Sequence, residues 1–276
     1  MKLAICNETF LDWPLDRALA FAAECGYTGV EFAPFTLAAD PRQISAAERS
    51  RIGRLAEAAG LEVVGLHWLL AKTEGMHLTS PDPAVRRRTA DYLSELTRLC
   101  RDLGGRVLVF GSPKQRNLLS GVTPQVGADY AVETFTACLP ALEETDTVLA
   151  VEPLDPGEGN FLNTAADAVA VIERVASPHC RLLLDCKAMA SEKMPAAELI
   201  ERHRSLLCHF HANDPNRQGP GFGQLDFHPI LEALGRIDYR GWVSVEVFDY
   251  TPGVERLASE SAGYLNACLA EIAAGQ

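Results

Sequence analysis

Short runs of aliphatic and β-branched residues alternate, eight times along this chain, with longer amphipathic stretches that often end at glycine. That alternation constrains the fold more than any single motif, because strand–helix units in series build parallel sheets. The predicted strands are 2–6, 27–32, 61–67, 106–110, 147–153, 181–185, 206–211 and 242–248. The predicted helices are 15–25, 45–59, 83–103, 125–144, 164–175, 196–204, 227–236 and 253–274. Gly26, Gly60 and Gly104-Gly105 follow the first three, where a left-handed residue ends a helix. Eight units of roughly 35 residues match a closed (β/α)8 TIM barrel, an α/β fold. A doubly wound open sheet is the alternative. It places a glycine-rich turn after its first strand, whereas here that strand runs into Asn7-Glu8-Thr9-Phe10. No Pro/Gly/Ser-rich linker divides the chain, so 1–276 is expected to form a single domain.

At 276 residues and 47% hydrophobic composition, the chain can bury a large core. A net charge of −12 makes it a poor partner for nucleic-acid phosphates. Its basic run, Arg86-Arg87-Arg88, falls in a predicted helix and reads as solvated surface. The longest apolar runs are too short for a membrane span, and the first ten residues lack a secretory pattern; a cytoplasmic location is expected. Eight cysteines without a CxxC pair read as buried, reduced thiols.

Barrels of this kind place their chemistry where strands end, on the C-terminal face. Strand two ends near Glu31, strand three at His67 and strand four at Gly111. The last four strands end at Glu152, Asp185, His211 and Glu246. Unpaired carboxylates turned into the barrel would cost several kcal/mol each in desolvation, and a divalent cation would remove that cost. A lone glutamate at a strand end is ordinarily solvated or salt-bridged. Four ionisable ends on consecutive strands argue instead for one shared metal site. The oxygen-rich ligation points first to Mn²⁺, then Mg²⁺ or Co²⁺, and the imidazole admits Zn²⁺.

Val151-Glu152-Pro153, Leu184-Asp185, the run His209-Phe210-His211-Ala212-Asn213-Asp214 and Val245-Glu246-Val247-Phe248 resemble the xylose isomerase-like TIM barrels. That superfamily includes sugar isomerases, ketose 3-epimerases, inosose dehydratases and an endonuclease IV branch. The resemblance covers essentially the whole chain and is closest in spacing to the ketose 3-epimerases. It implies metal ligation by Glu152, Asp185, His211 and Glu246. It also implies substrate contacts at Glu158, six residues after Glu152, and at Arg217, six after His211. The epimerases carry a substrate-contacting His three residues after the metal Asp; this chain has Ala188 there, with Lys187 beside it as an alternative donor. That departure argues against a free ketohexose as the substrate.

Around the same mouth, Lys114 and Arg116 are placed to hold a phosphate or carboxylate on a substrate, or else to bind loop carbonyls. His67 is placed to donate to a sugar hydroxyl, or to serve structurally. His209 shares the strand face of His211 and reads as a packing or supporting group one layer deeper. The expected activity is divalent-metal-dependent isomerisation or epimerisation of a keto-sugar or sugar phosphate through an enediolate, with Glu152 and Glu246 as the acid–base pair. A dehydratase or lyase acting on a keto-sugar or inosose would use the same site. An endonuclease-like enzyme would need more histidines at strand ends, and a non-catalytic sugar-binding barrel would not need the four ligands intact. The expected partner is a small carbohydrate, with no nucleic acid and no membrane; a homo-oligomer is compatible.

Overall fold

The computed structural model describes residues 1–275. Its strands are β1 (Lys2–Cys6), β2 (Gly29–Phe32), β3 (Glu62–Leu66), β4 (Val107–Phe110), β5 (Val148–Val151), β6 (Cys180–Asp185), β7 (Leu207–Ala212) and β8 (Trp242–Val245). All neighbours pair in parallel and in chain order. β8 returns to β1 through Lys2↔Trp242 to Ile5↔Val245, which closes the barrel and leaves no free edge. Between and after the strands lie α1 (Leu15–Glu24), α2 (Ala46–Ala58), α3 (Pro83–Leu103), α4 (Pro124–Thr145), α5 (Ala165–Val175), α6 (Ala196–Arg202), α7 (His228–Arg236) and α8 (Val254–Ala274).

Local chemistry explains the helix ends. Ser45, Asp82 and Thr123 each accept a backbone N–H of the first turn of α2, α3 and α4. Thr164 and Asp167 form a reciprocal capping box on α5. Gly26, Gly60 and Gly104 take positive φ after α1, α2 and α3, as their positions in the sequence predict. Short turns that periodicity cannot reveal lie after β1 (Asn7–Phe10), after β2 (Pro34–Leu37) and after β6 (Cys186–Met189). Arg86 corrects the surface reading of its run. It is buried against Glu133 and the carbonyls of Ser80 and Pro81, with its guanidinium 4.0 Å from the Tyr130 ring.

Two departures in strand length and register place the site. The predicted strands 147–153 and 242–248 stop early, so Glu152 and Glu246 lie one residue beyond the ladder. Each is still tied back by its own N–H, to Phe110 O and Ala212 O at 3.2 Å. In β7 the register slips past Cys208, so His209 pairs with Leu183 and His211 with Asp185. A one-residue shift exchanges the two faces of a strand, so this bulge matches the histidine face of β7 to the Asp185 face of β6.

Burial divides along the same alternation. Leu108, Phe110, Leu149, Val151, Leu182 and Leu184 join the main hydrophobic cluster beneath the helices. Val109, Ala150 and Leu183, on the opposite strand faces, form a small separate cluster. Among the described residues, no helix is long and apolar enough to cross a membrane.

Candidate active site

Glu152, Asp185, His211 and Glu246 converge at the C-terminal mouth of the barrel. One ligand atom from each lies within 4.8 Å of the others, and all four side chains are buried. His211 Nδ1 is 3.0 Å from Glu246 Oε2 and 3.3 Å from Glu152 Oε1. Asp185 is held from two sides: its Oδ1 accepts the Ala188 N–H at 2.8 Å and its Oδ2 accepts from Asn213 Nδ2 at 2.5 Å. Glycine at 111 leaves space for the Glu152 carboxylate, because a Cβ there would collide with Glu152 Oε2.

The electrostatics show why this donor set suits a cation. Burial, then the charge of Glu152, pushes the Asp185 carboxyl up to about 7. Burial also raises Glu152, against the hydrogen bond from His211. Burial acts the same way on Glu246, but His211 and His67 outweigh it and hold that carboxyl below its usual range. Two buried carboxyls are therefore driven toward protonation beside an imidazole that Glu246 and Glu31 keep charged despite its burial. A divalent ion would satisfy the three carboxylates together, and one imidazole with three carboxylates is a known type of divalent-metal donor set.

Two supporting acids have no role in the sequence reading, which marks Glu31 only as the end of strand two. Glu31 is fully buried rather than solvated. It faces His211 Nε2 at 3.3 Å and His209 Nε2 at 2.8 Å. A proton on His211 Nε2 directed at Glu31 leaves Nδ1 as the nitrogen facing Glu152 and Glu246. His209 thus lies one layer deeper, as its spacing predicts. The signal for Glu31 was its strand-end position on β2, which alone cannot distinguish a buried carboxylate from a solvated one. Glu8, in the short turn after β1, gave no sequence signal. Its Oε2 is 2.8 Å from His67 Nε2 but out of line for a hydrogen bond, while His67 Nδ1 is 3.4 Å from Glu246 Oε1. Burial opposes charge on His67, yet Glu8 and Glu246 raise it to about 10.

A small inner pocket, open to solvent, adjoins Glu152, Asp185 and Glu246 and is lined by His67, Trp68, Glu158, Lys187 and Phe248 among others. Lys187 pairs with Glu158 through Nζ and lies 4.9 Å from the Phe248 ring centre, so a cationic donor enters this pocket. Arg217 and Lys114 are exposed and line a wider outer bowl. Arg116 is the correction. Its guanidinium is 1% exposed and donates to the carbonyls of Glu152, Phe161 and Leu162 at 2.6–3.2 Å. Its donors are committed to main chain, so Arg116 and Lys114 do not form an anion clamp. Burial lowers its pKa to about 10.

The match to known proteins follows this geometry. A model of the xylose isomerase-like TIM barrel matches residues 19–268. A probable ketose 3-epimerase of Synechocystis is 28% identical over 231 residues, 83% of this chain and 77% of that protein. An L-ribulose 3-epimerase of Mesorhizobium japonicum is 29% identical over 259 residues, 91% of this chain and 82% of that protein. A solved L-ribulose 3-epimerase superposes with a TM-score of 0.84 at 22% identity, covering 100% of this chain and 97% of its own. With one family model spanning nearly all of the barrel, this chain belongs to the xylose isomerase-like TIM-barrel family.

Proposed function

We propose that this protein is a divalent-metal-dependent epimerase or isomerase of a keto-sugar, with Glu152 and Glu246 as its acid–base pair. The observation that carries the reading is the convergence of three buried carboxylates and one imidazole at the barrel mouth. A probable ketose 3-epimerase and an L-ribulose 3-epimerase are among its relatives over most of the chain. Glu152, Asp185, His211 and Glu246 would hold the ion, Mn²⁺ by preference, with Mg²⁺, Co²⁺ or Zn²⁺ as alternatives. When bound, such an ion supplies positive charge to the carbonyl and neighbouring hydroxyl oxygens of the sugar.

The chain's own residues do the rest. Glu152 follows β5 and Glu246 follows β8, so they approach a bound sugar from well-separated parts of the barrel rim. One removes the proton from the carbon beside the carbonyl, and the other returns a proton to the opposite face of the resulting enediolate. Asn213 and Ala188 fix Asp185, and Glu31 fixes His211, so the site is organised before substrate arrives. Lys187, Glu158 and His67 offer hydrogen bonds to sugar hydroxyls within the inner pocket, and Arg217 to the part of the substrate nearer solvent. A small carbohydrate is the proposed substrate and the cytoplasm the proposed location; the net charge of −12 disfavours nucleic acid. The test is NMR of metal-loaded protein with keto-sugars in deuterated buffer. Deuterium incorporation with conserved mass otherwise supports the reading; loss of water identifies a dehydratase; no exchange with any keto-sugar refutes it.

A further inference from the structure

Outside the inner pocket the barrel mouth widens into a bowl of ≈ 1500 Å³ up to its open rim, and the two cavities share Trp68, Pro113 and Phe248 as common walls. The bowl is built from the loops after β1, β2, β3, β4, β7 and β8. Its walls carry Phe10, Trp13, Phe35, Trp68, Phe248 and Tyr250. The whole chain holds 3 Trp, 6 Tyr and 11 Phe, so two of three tryptophans face one cavity.

Two further observations mark the bowl as a built surface. Among the described residues, seven non-glycine residues take positive φ, and three of them, Trp68 (52°), Lys72 (59°) and Arg217 (73°), line this cavity. Such backbone costs of order 1–3 kcal/mol per residue and clusters where a ligand is clamped. The large apolar residues left exposed are Met1, Leu11, Leu119 and Tyr250, and two of these four, Leu11 and Tyr250, also line the bowl. Exposed apolar surface that is concave and continuous with a reaction pocket is the signature of a ligand subsite.

We infer that the substrate is a keto-sugar joined to a second pyranose ring: the reacting ring enters the inner pocket and the second packs on the aromatic bowl. This rests on the proposed epimerase reading and extends it to a substrate class. A pyranose presents C–H faces to aromatic rings and hydroxyls to a polar rim, and here Arg217, Lys114, Lys72, Asp12 and Gln115 provide that rim. Arg116 is committed to carbonyls and adds no donor to the bowl.

The test uses the full-length, metal-loaded protein and deuterium exchange by NMR on two matched pairs. One pair is a ketohexose and its 6-O-glucosyl disaccharide. The other is a methyl 3-keto-glucoside and the corresponding 3-keto disaccharide. In at least one pair, kcat/KM for the disaccharide should exceed its single-ring partner by roughly ten-fold or more. Phe35→Ala and Tyr250→Ala line only the outer bowl. Each should cut the disaccharide value by roughly five-fold or more while leaving the single-ring value within about two-fold. Having two variants guards against misfolding of one, and thermal melts identify any that misfolds. Equal rates within both pairs overturn the inference and leave the epimerase reading standing. So do variants that lower both members alike, faster turnover of a keto-sugar phosphate, or variants that change only sedimentation and thus mark the bowl as a contact between copies. Exchange with none of the probes removes the epimerase reading and this inference with it.

Discussion

Glu246 carries two proposed roles at once, as a ligand of the ion and as one member of the acid–base pair. Glu246→Gln keeps the volume and one acceptor oxygen but removes the charge that can take a proton. It should lower kcat by roughly 10²–10⁴-fold in the NMR exchange assay, with the fold retained and a melting temperature lowered by no more than metal removal lowers it. Glu31 acts through His211, which it orients at 3.3 Å. Glu31→Gln should weaken metal binding by roughly 10–100-fold in a chelator competition, with the fold retained. Arg116 has the opposite profile. It ties the Glu152 carbonyl to those of Phe161 and Leu162, so Arg116→Met should cost about 3 kcal/mol in denaturant unfolding by leaving buried acceptors unpaired. Were it a substrate ligand instead, the variant would raise KM and leave stability unchanged. Which of the two cations is committed to main chain was not legible in the sequence, because Lys114 and Arg116 sit two apart on one loop and only its path decides where each points.

At the scale of the element, close approach of backbones matters as much as side-chain packing. Gly65 on β3 faces Val107 of β4, and a Cβ built there collides with the Val107 carbonyl oxygen. Backbone cannot yield as a flexible side chain can, so Gly65→Ala should destabilise by about 3 kcal/mol and lower the urea midpoint. Strand order and helix ends were readable from alternation, capping residues and glycine. The bulge at Cys208 was not, because a register slip is settled by pairing with β6. The short turns after β1 and β6 were equally hidden, although one carries Glu8 and the other Lys187.

For the whole molecule, the ion proposed here would couple ligation to stability, because folded chain binds it and the unfolded chain lacks the site. At 100 times its Kd such an ion contributes about 2.7 kcal/mol. Exhaustive chelation should therefore lower the melting temperature by roughly 5–10 °C, with recovery on adding Mn²⁺. A melting temperature indifferent to chelator in the purified, metal-loaded protein would remove the ion from the account. The sequence alone determined the eightfold strand–helix order, the closed barrel and the four residues Glu152, Asp185, His211 and Glu246, because these follow from periodicity and strand ends that lie close along the chain. Only the tertiary structure decided that Glu31 and Glu8 join them, that Arg116 faces away, and that the mouth opens into an aromatic bowl. Those facts depend on loops from distant parts of the chain meeting at one end of the barrel, and no local pattern encodes that meeting.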